Sequence, residues 1–166
     1  MLPVRFVCRE MLPERPEAIA ATILDLSQWP RFTGYGPLPG IRSAEFEVRT
    51  PEVVGTRIRV ISTDGSTHVE EIVEWRPAER IVQRMSGFSP PLSKLATEFV
   101  ETWEFERGAA GTKVTRTFEL HPRSNWVRPA VWLISLLLKR AVQRSLREIR
   151  DYRPKAGDRA TDGVTS

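Results

Sequence analysis

The chain has 166 residues, 40% of them hydrophobic, which is enough for one domain with a sizeable core. Its 25 Lys+Arg against 21 Asp+Glu give a net charge of +4, a modest excess that thickens near the end and points only loosely to an anionic partner; with no base-stacking aromatics set in a basic groove, no nucleic-acid partner is expected. The longest apolar run, Ala130 to Leu138 broken only by Ser135, falls short of the ~20 residues a membrane-spanning helix needs.

From Val4 to Met11 the residues Val4, Phe6, Cys8 and Glu10 alternate with Arg5, Val7, Arg9 and Met11, which predicts a first strand. Cys8 is the only cysteine. It can form no internal disulfide, and its place in an alternating segment reads as a buried thiol in a reducing cytoplasm. The start, Met1-Leu2-Pro3-Val4-Arg5-Phe6, has no charged segment followed by an apolar stretch, so no signal peptide is expected. A helix follows, with Pro16 at its first position, Glu17 at its positive end and Ile19, Ile23, Leu24 and Leu26 on one face. Trp29-Pro30 is expected to end it.

Arg31 to Gly40 is rich in glycine and proline and should be a shaped loop presenting Phe32, Tyr35 and Leu38. Further strands are predicted at Ile41–Arg49, Gly55–Thr63, Ser66–Trp75, Arg80–Phe88, Thr97–Arg107 and Thr112–His121. Turns at Asp64-Gly65, Pro77-Ala78-Glu79 and Gly108-Ala109-Ala110-Gly111 join them as consecutive hairpins. A long final helix is predicted from about Pro129 to Tyr152, after a turn holding Trp126. Its stripe of Ile134, Leu138, Ala141, Val142, Ser145, Leu146, Ile149 and Tyr152 lies opposite a basic face. The domain is therefore expected to span residues 1–153, with a disordered tail at 154–166.

Four segments carry a family resemblance: Leu26-Ser27-Gln28-Trp29-Pro30 after the first helix, Val54-Gly55-Thr56-Arg57-Ile58-Arg59-Val60 opening the third strand, Val69 to Pro77, and Glu101 to Glu106 with Gly111 to Thr115. With the order of elements, they resemble single-domain bacterial members of the START-like, or SRPBCC, polyketide cyclase/dehydrase superfamily over roughly Val4 to Tyr152. The resemblance implies an α+β helix-grip fold. A seven-stranded antiparallel sheet would wrap the C-terminal helix around an apolar cavity.

The predicted hairpin Thr97–His121 puts Phe99, Glu101, Trp103 and Phe105 on one face, with Val114, Arg116, Phe118 and Leu120 on the returning strand. A Gly-Ala-Ala-Gly turn would set Arg116 opposite Trp103 and diagonal to Glu101. A Glu and an Arg on an aromatic face need a partner or a ligand. Two readings stand: the pair orients a polar group of a ligand, or it is a structural ion pair with a cation–π contact. His68 is the candidate general acid/base, against a reading as a solvated histidine near a turn. His121 ends a strand and reads as structural. Glu70 and Glu71 point to opposite faces, while Glu70 and Glu74 share the face read as solvated.

With two histidines in different strands and one cysteine, no metal site is expected. With no phosphate-cradling glycine loop before a helix, no nucleotide cofactor is expected either. The final helix has two readings, in which most of the surface formed by Trp126, Trp132, Leu133, Ile134, Leu136, Leu137 and Leu138 is buried as the helix crosses the sheet, or that surface lies in a membrane interface with Lys139, Arg140, Arg144, Arg147 and Arg150 facing anionic lipid.

The leading expectation is binding of an apolar small molecule, a lipid, isoprenoid or polyketide, without cofactor. Tyr35, Met85, Phe99, Glu101, Trp103, Arg116, Phe118 and Leu138 are the expected ligand contacts. The alternatives are a polyketide cyclase or dehydratase acting through Arg116, Glu101 and His68, as the resemblance allows, and a membrane- or protein-interaction module built on the last helix.

Overall fold

Alternation fixes which side of each strand faces inward, and the turns fix the pairing. The computed structural model describes residues 1–152; residue 153 and the tail predicted at 154–166 lie outside the described residues. In chain order the elements are β1 (Val4–Leu12), α1 (Pro16–Leu24), a 3-10 helix (Leu26–Arg31), β2 (Ile41–Val48), β3 (Arg57–Ser62), β4 (Thr67–Arg76), β5 (Arg80–Ser86), α2 (Leu92–Leu95), β6 (Ala96–Gly108), β7 (Gly111–Pro122) and α3 (Arg128–Asp151). The strands form one seven-stranded antiparallel sheet in the order β1-β7-β6-β5-β4-β3-β2. Strands β2 to β7 meander, and β1 joins the far edge beside β7. The chain therefore crosses from one edge of the sheet to the other through α1 and the 3-10 helix.

The β6–β7 hairpin is the longest paired unit. Gly108 faces Gly111 across a two-residue Ala109-Ala110 turn. Gly111 has a φ of 132°, and a Cβ there would lie 2.1 Å from the Leu12 carbonyl oxygen, so only glycine lets β1 and β7 approach at this point. Its register carries Phe99, Glu101, Trp103 and Phe105 inward opposite Leu120, Phe118, Arg116 and Val114.

On β4 the alternation breaks. Ile72 faces Gln83 while Glu74 faces Val82, so Val73 is the extra residue of a β-bulge. The bulge reverses which side chains face inward beyond it. Glu70 is buried, whereas Glu74 pairs with Arg76 at 2.6 Å and Arg80 at 3.5 Å. The expectation that Glu70 and Glu74 share a solvated face is thereby corrected.

α1 also ends earlier than its apolar spacing suggests, at Leu24. The Asp25 carboxylate accepts from Ser27 N at 3.2 Å and Ser27 Oγ at 2.5 Å. This local bonding competes with a further helical turn. Trp29-Pro30 lies inside the 3-10 helix, where Trp29 Nε1 donates to the Ile23 carbonyl at 3.2 Å. The short α2, before β6, was not foreseen in the sequence.

α3 is amphipathic and lies along β1. Cys8 Sγ donates to the Lys139 carbonyl at 3.6 Å, Gln143 Nε2 to the Arg9 carbonyl at 3.1 Å, and Arg150 reaches Glu10 at 3.2 Å. Its buried Val131, Val142 and Leu146 join a core with Phe6, Leu12, Ile19, Phe118 and Leu120. In that core Phe6 stacks on Phe118 with ring centroids 4.9 Å apart. No helix among the described residues is long and apolar enough to cross a membrane.

Candidate functional site

The inward face of β4–β7, α1, the 3-10 helix, the adjoining loops and α3 surround a cavity of about 1090 Å³. Small-molecule sites usually enclose ~300–1,000 Å³. Its wall is largely apolar: Met85, Phe99, Trp103 and Phe118 from the sheet, Ile19 and Ile23 from α1, and Ile134, Leu138 and Ile149 from α3. Phe32 and Leu38 come from the loop before β2, and Phe88 and Leu92 from the segment between β5 and β6.

One polar row crosses this wall. Cross-strand pairing sets Arg116 on β7 beside Glu101 on β6, Glu101 opposite Gln83 on β5, and Gln83 near Glu70 on β4. Arg116 Nε donates to Glu101 Oε1 at 2.5 Å, and Nη2 lies 2.5 Å from the same oxygen as an ion-pair contact. The Arg116 guanidinium carbon lies 4.0 Å from the centre of the Trp103 ring and 5.5 Å from that of Phe118. Gln83 Nε2 donates to Glu70 Oε2 at 3.3 Å. Glu70 Oε1 is 3.0 Å from His68 Nε2, and the His68 ring lies 6.0 Å from that of Phe88.

Burial, with a smaller contribution from Glu70, lifts the Glu101 carboxyl above its ordinary value, and the Arg116 guanidinium opposes that lift. The pair is thus a buried ion pair against an aromatic face, one of the two readings left open by the sequence. It also borders the cavity. Among the described residues, Glu101 Oε2 and Arg116 Nη1 make no hydrogen bond. The pair therefore keeps an acceptor and a donor for a third partner. Cys8 lies opposite Arg116 on β1, where burial pushes its thiol up, away from nucleophilic reactivity.

Of the residues singled out from sequence, Met85, Phe99, Glu101, Trp103, Arg116, Phe118, Leu138 and His68 all line the cavity. Tyr35 does not. Its side chain is exposed beneath the Arg140 guanidinium, 5.8 Å from the ring centre, because the tight turn pairing Tyr35 with Leu38 carries it outward while Phe32 and Leu38 face in. Sequence reasoning missed Glu70 and Gln83. The alternation of Ile81, Gln83 and Met85 was the available signal for Gln83, and the shared parity of Glu70 with Ile72 was the signal for Glu70. No group of three His, Cys, Asp or Glu gathers to hold a metal among the described residues.

Several solved structures share this architecture. Ginseng major latex-like protein 151 from Panax ginseng is 14% identical, with a TM-score of 0.65 over 90% of this chain and 99% of its own. TTHA0849 from Thermus thermophilus is 18% identical, with a TM-score of 0.66 over 89% of this chain and 94% of its own. The di-domain ARO/CYC StfQ from the steffimycin biosynthetic pathway is 17% identical, with a TM-score of 0.67 over 90% of this chain, which spans 50% of StfQ. At these identities the likeness establishes the helix-grip fold. No curated protein matches the chain at a significant level. The model of the family described as "Polyketide cyclase / dehydrase and lipid transport" matches residues 11–152. With the helix-grip sheet and its cavity in place, that match covers nearly the whole described domain, and the chain belongs to this family of the START-like superfamily.

Proposed function

We propose that the cavity binds one apolar small molecule, a lipid, isoprenoid or polyketide, with a polar end turned to the row formed by Arg116, Glu101, Gln83, Glu70 and His68. The observation that supports this most is the contrast within one cavity of about 1090 Å³: apolar walls supply burial, and the polar row on the sheet supplies orientation. The unpartnered Arg116 Nη1 suits a carbonyl or carboxylate oxygen, and Glu101 Oε2 suits a hydroxyl. A cytoplasmic setting fits the single buried thiol of Cys8. Native mass spectrometry of the purified protein, with extraction of whatever it carries, tests the reading. A stoichiometric apolar adduct is expected. An empty protein that also fails to take up an apolar fluorescent probe would contradict it.

A second reading is an enzyme, favoured by the presence of two carboxylates, an imidazole and a guanidinium in one row. In a dehydration, His68 backed by Glu70 would take the α-proton of a β-hydroxycarbonyl chain, and Arg116 would hold the enolate oxygen. The β-hydroxyl would leave as water with a proton from a protonated Glu101, forming the carbon–carbon double bond. Replacing His68, Glu101 and Arg116 together should then lower turnover of a β-hydroxyacyl substrate by far more than tenfold. A loss of about tenfold or less would remove this reading.

A further inference from the structure

A helix packed on a sheet normally hides its tryptophans, yet α3 displays them. Trp126, in the turn before α3, is 94% exposed, and Trp132 and Leu133 are 56% and 55% exposed. Pro129, Trp132, Leu133 and Leu136 recur three and four residues apart, on the side of α3 away from the buried Val131, Ser135 and Val142. The start of β1 lies alongside. Arg128 donates to the Leu2 carbonyl oxygen, and Pro3, Val4 and Arg5 share a surface depression with Arg128, Pro129 and Trp132. The exposed Leu2 therefore belongs to the same end of the molecule. Monomeric soluble proteins rarely gather large apolar groups in this way without a partner.

The charge at this end is mostly basic. No acidic residue occurs between Glu119 and Glu148. The Arg123 and Arg128 side chains bond only to the carbonyl oxygens of Ser93 and Leu2 and pair with no carboxylate among the described residues, while Arg5 stands across the β1–β7 ladder from Glu119 without a salt bridge to it. By contrast, several basic residues later in α3 are engaged: Arg140 lies over Tyr35, Arg144 pairs with Glu148, and Arg150 pairs with Glu10 and Asp151. Tryptophans flanked by cations match the headgroup region of an anionic bilayer, where an indole ring is half in hydrocarbon and half in water.

We propose that this end of the molecule docks on an anionic lipid surface, with Trp126, Trp132, Leu133 and Leu2 entering the interface and Arg5, Arg123 and Arg128 facing the headgroups. Ile134, Leu137 and Leu138, in the next turn of the same helix, line the cavity. Docking therefore sets the membrane about one helical turn from the cavity wall. This inference rests on the surface and stands apart from the cavity reading.

The test is flotation of the full chain with phosphatidylcholine vesicles, with and without phosphatidylglycerol. Binding is expected only to the anionic vesicles, and it should weaken as salt rises. The Trp126→Ser/Trp132→Ser variant should lose about tenfold or more of this binding while keeping its melting temperature and its uptake of an apolar probe. The Arg5→Gln/Arg123→Gln variant, changed only at exposed side chains, should bind more weakly and with less salt dependence. Four results would overturn the proposal: no binding to anionic vesicles, equal binding to neutral ones, binding unchanged in both variants, or concentration-dependent dimers abolished by the tryptophan variant. The last would make the patch a self-association face.

Discussion

The wall and the mouth of the cavity are built differently. The wall is the β4–β7 part of the sheet, where cross-strand ladders hold Glu101, Trp103, Arg116 and Phe118 in fixed pairs. The mouth includes the Phe32–Gly40 loop and the Gly87–Leu95 segment. These are held at a few points, among them Ile41 N to the Phe32 carbonyl at 2.9 Å, Ser89 N to the Thr67 carbonyl at 2.9 Å, and Thr67 N to Ser89 Oγ at 2.9 Å. The polar groups sit on the rigid part and much of the adaptable apolar surface on the tethered part. Such a division lets one fold keep its orienting groups while the mouth changes to suit different ligands.

The largest effect should come from breaking the wall at its ion pair. Glu101→Ala leaves the Arg116 charge buried and uncompensated and should cost about 3–5 kcal/mol, measured by denaturant unfolding. Replacing Glu101 and Arg116 together by Met should recover much of that loss, since desolvation offsets most of what the pair contributes. A double variant whose cost is the sum of the two single changes would show that the two residues do not act as a unit.

A subtler way to sharpen the contrast is pH. Burial raises the Glu101 carboxyl above its ordinary 4.5, so the folded chain holds that proton more tightly than the unfolded chain does. Stability linked to this group is fully present below the unfolded value and is lost as pH rises from there through the folded value. Arg116→Met removes the opposing guanidinium and raises the folded value further. The gap in melting temperature between this variant and the wild type should widen as pH rises above the ordinary carboxylate value. A constant gap would mean that Arg116 does not hold the Glu101 charge.

The smallest effect on stability belongs to the mouth. Leu38→Ala removes a half-buried side chain from a loop and should change stability by no more than about 1 kcal/mol, while an apolar probe should leave the cavity faster. A large loss of stability would show that the loop is part of the packed core.

Strand positions, the hairpin turns and the inward face of β6–β7 were legible because alternation and turn chemistry are local. The Gly-Ala-Ala-Gly turn was enough to place Arg116 opposite Trp103. What stayed hidden depended on one-residue events. The bulge at Val73 leaves no compositional mark, so the inward side of Glu70 was misread through its spacing to Glu74. Asp25 and Ser27 ended α1 before Leu26 could join its face, and the turn at Gly36-Pro37 sent Tyr35 outward. The exposure of Trp126 and Trp132 was equally unreadable, because an apolar stripe does not say which of its members the sheet covers.

If the space between sheet and α3 is a binding cavity, filling it should weaken the uptake of an apolar ligand. Leu138→Trp places an indole in the space without adding a charge. The wild type should bind an apolar fluorescent probe at one site per chain, and the Leu138→Trp variant, if its melting temperature is retained, should bind about tenfold or more weakly. A wild type that binds no probe, or a folded variant that binds as tightly as the wild type, would mean that this space is not the binding cavity.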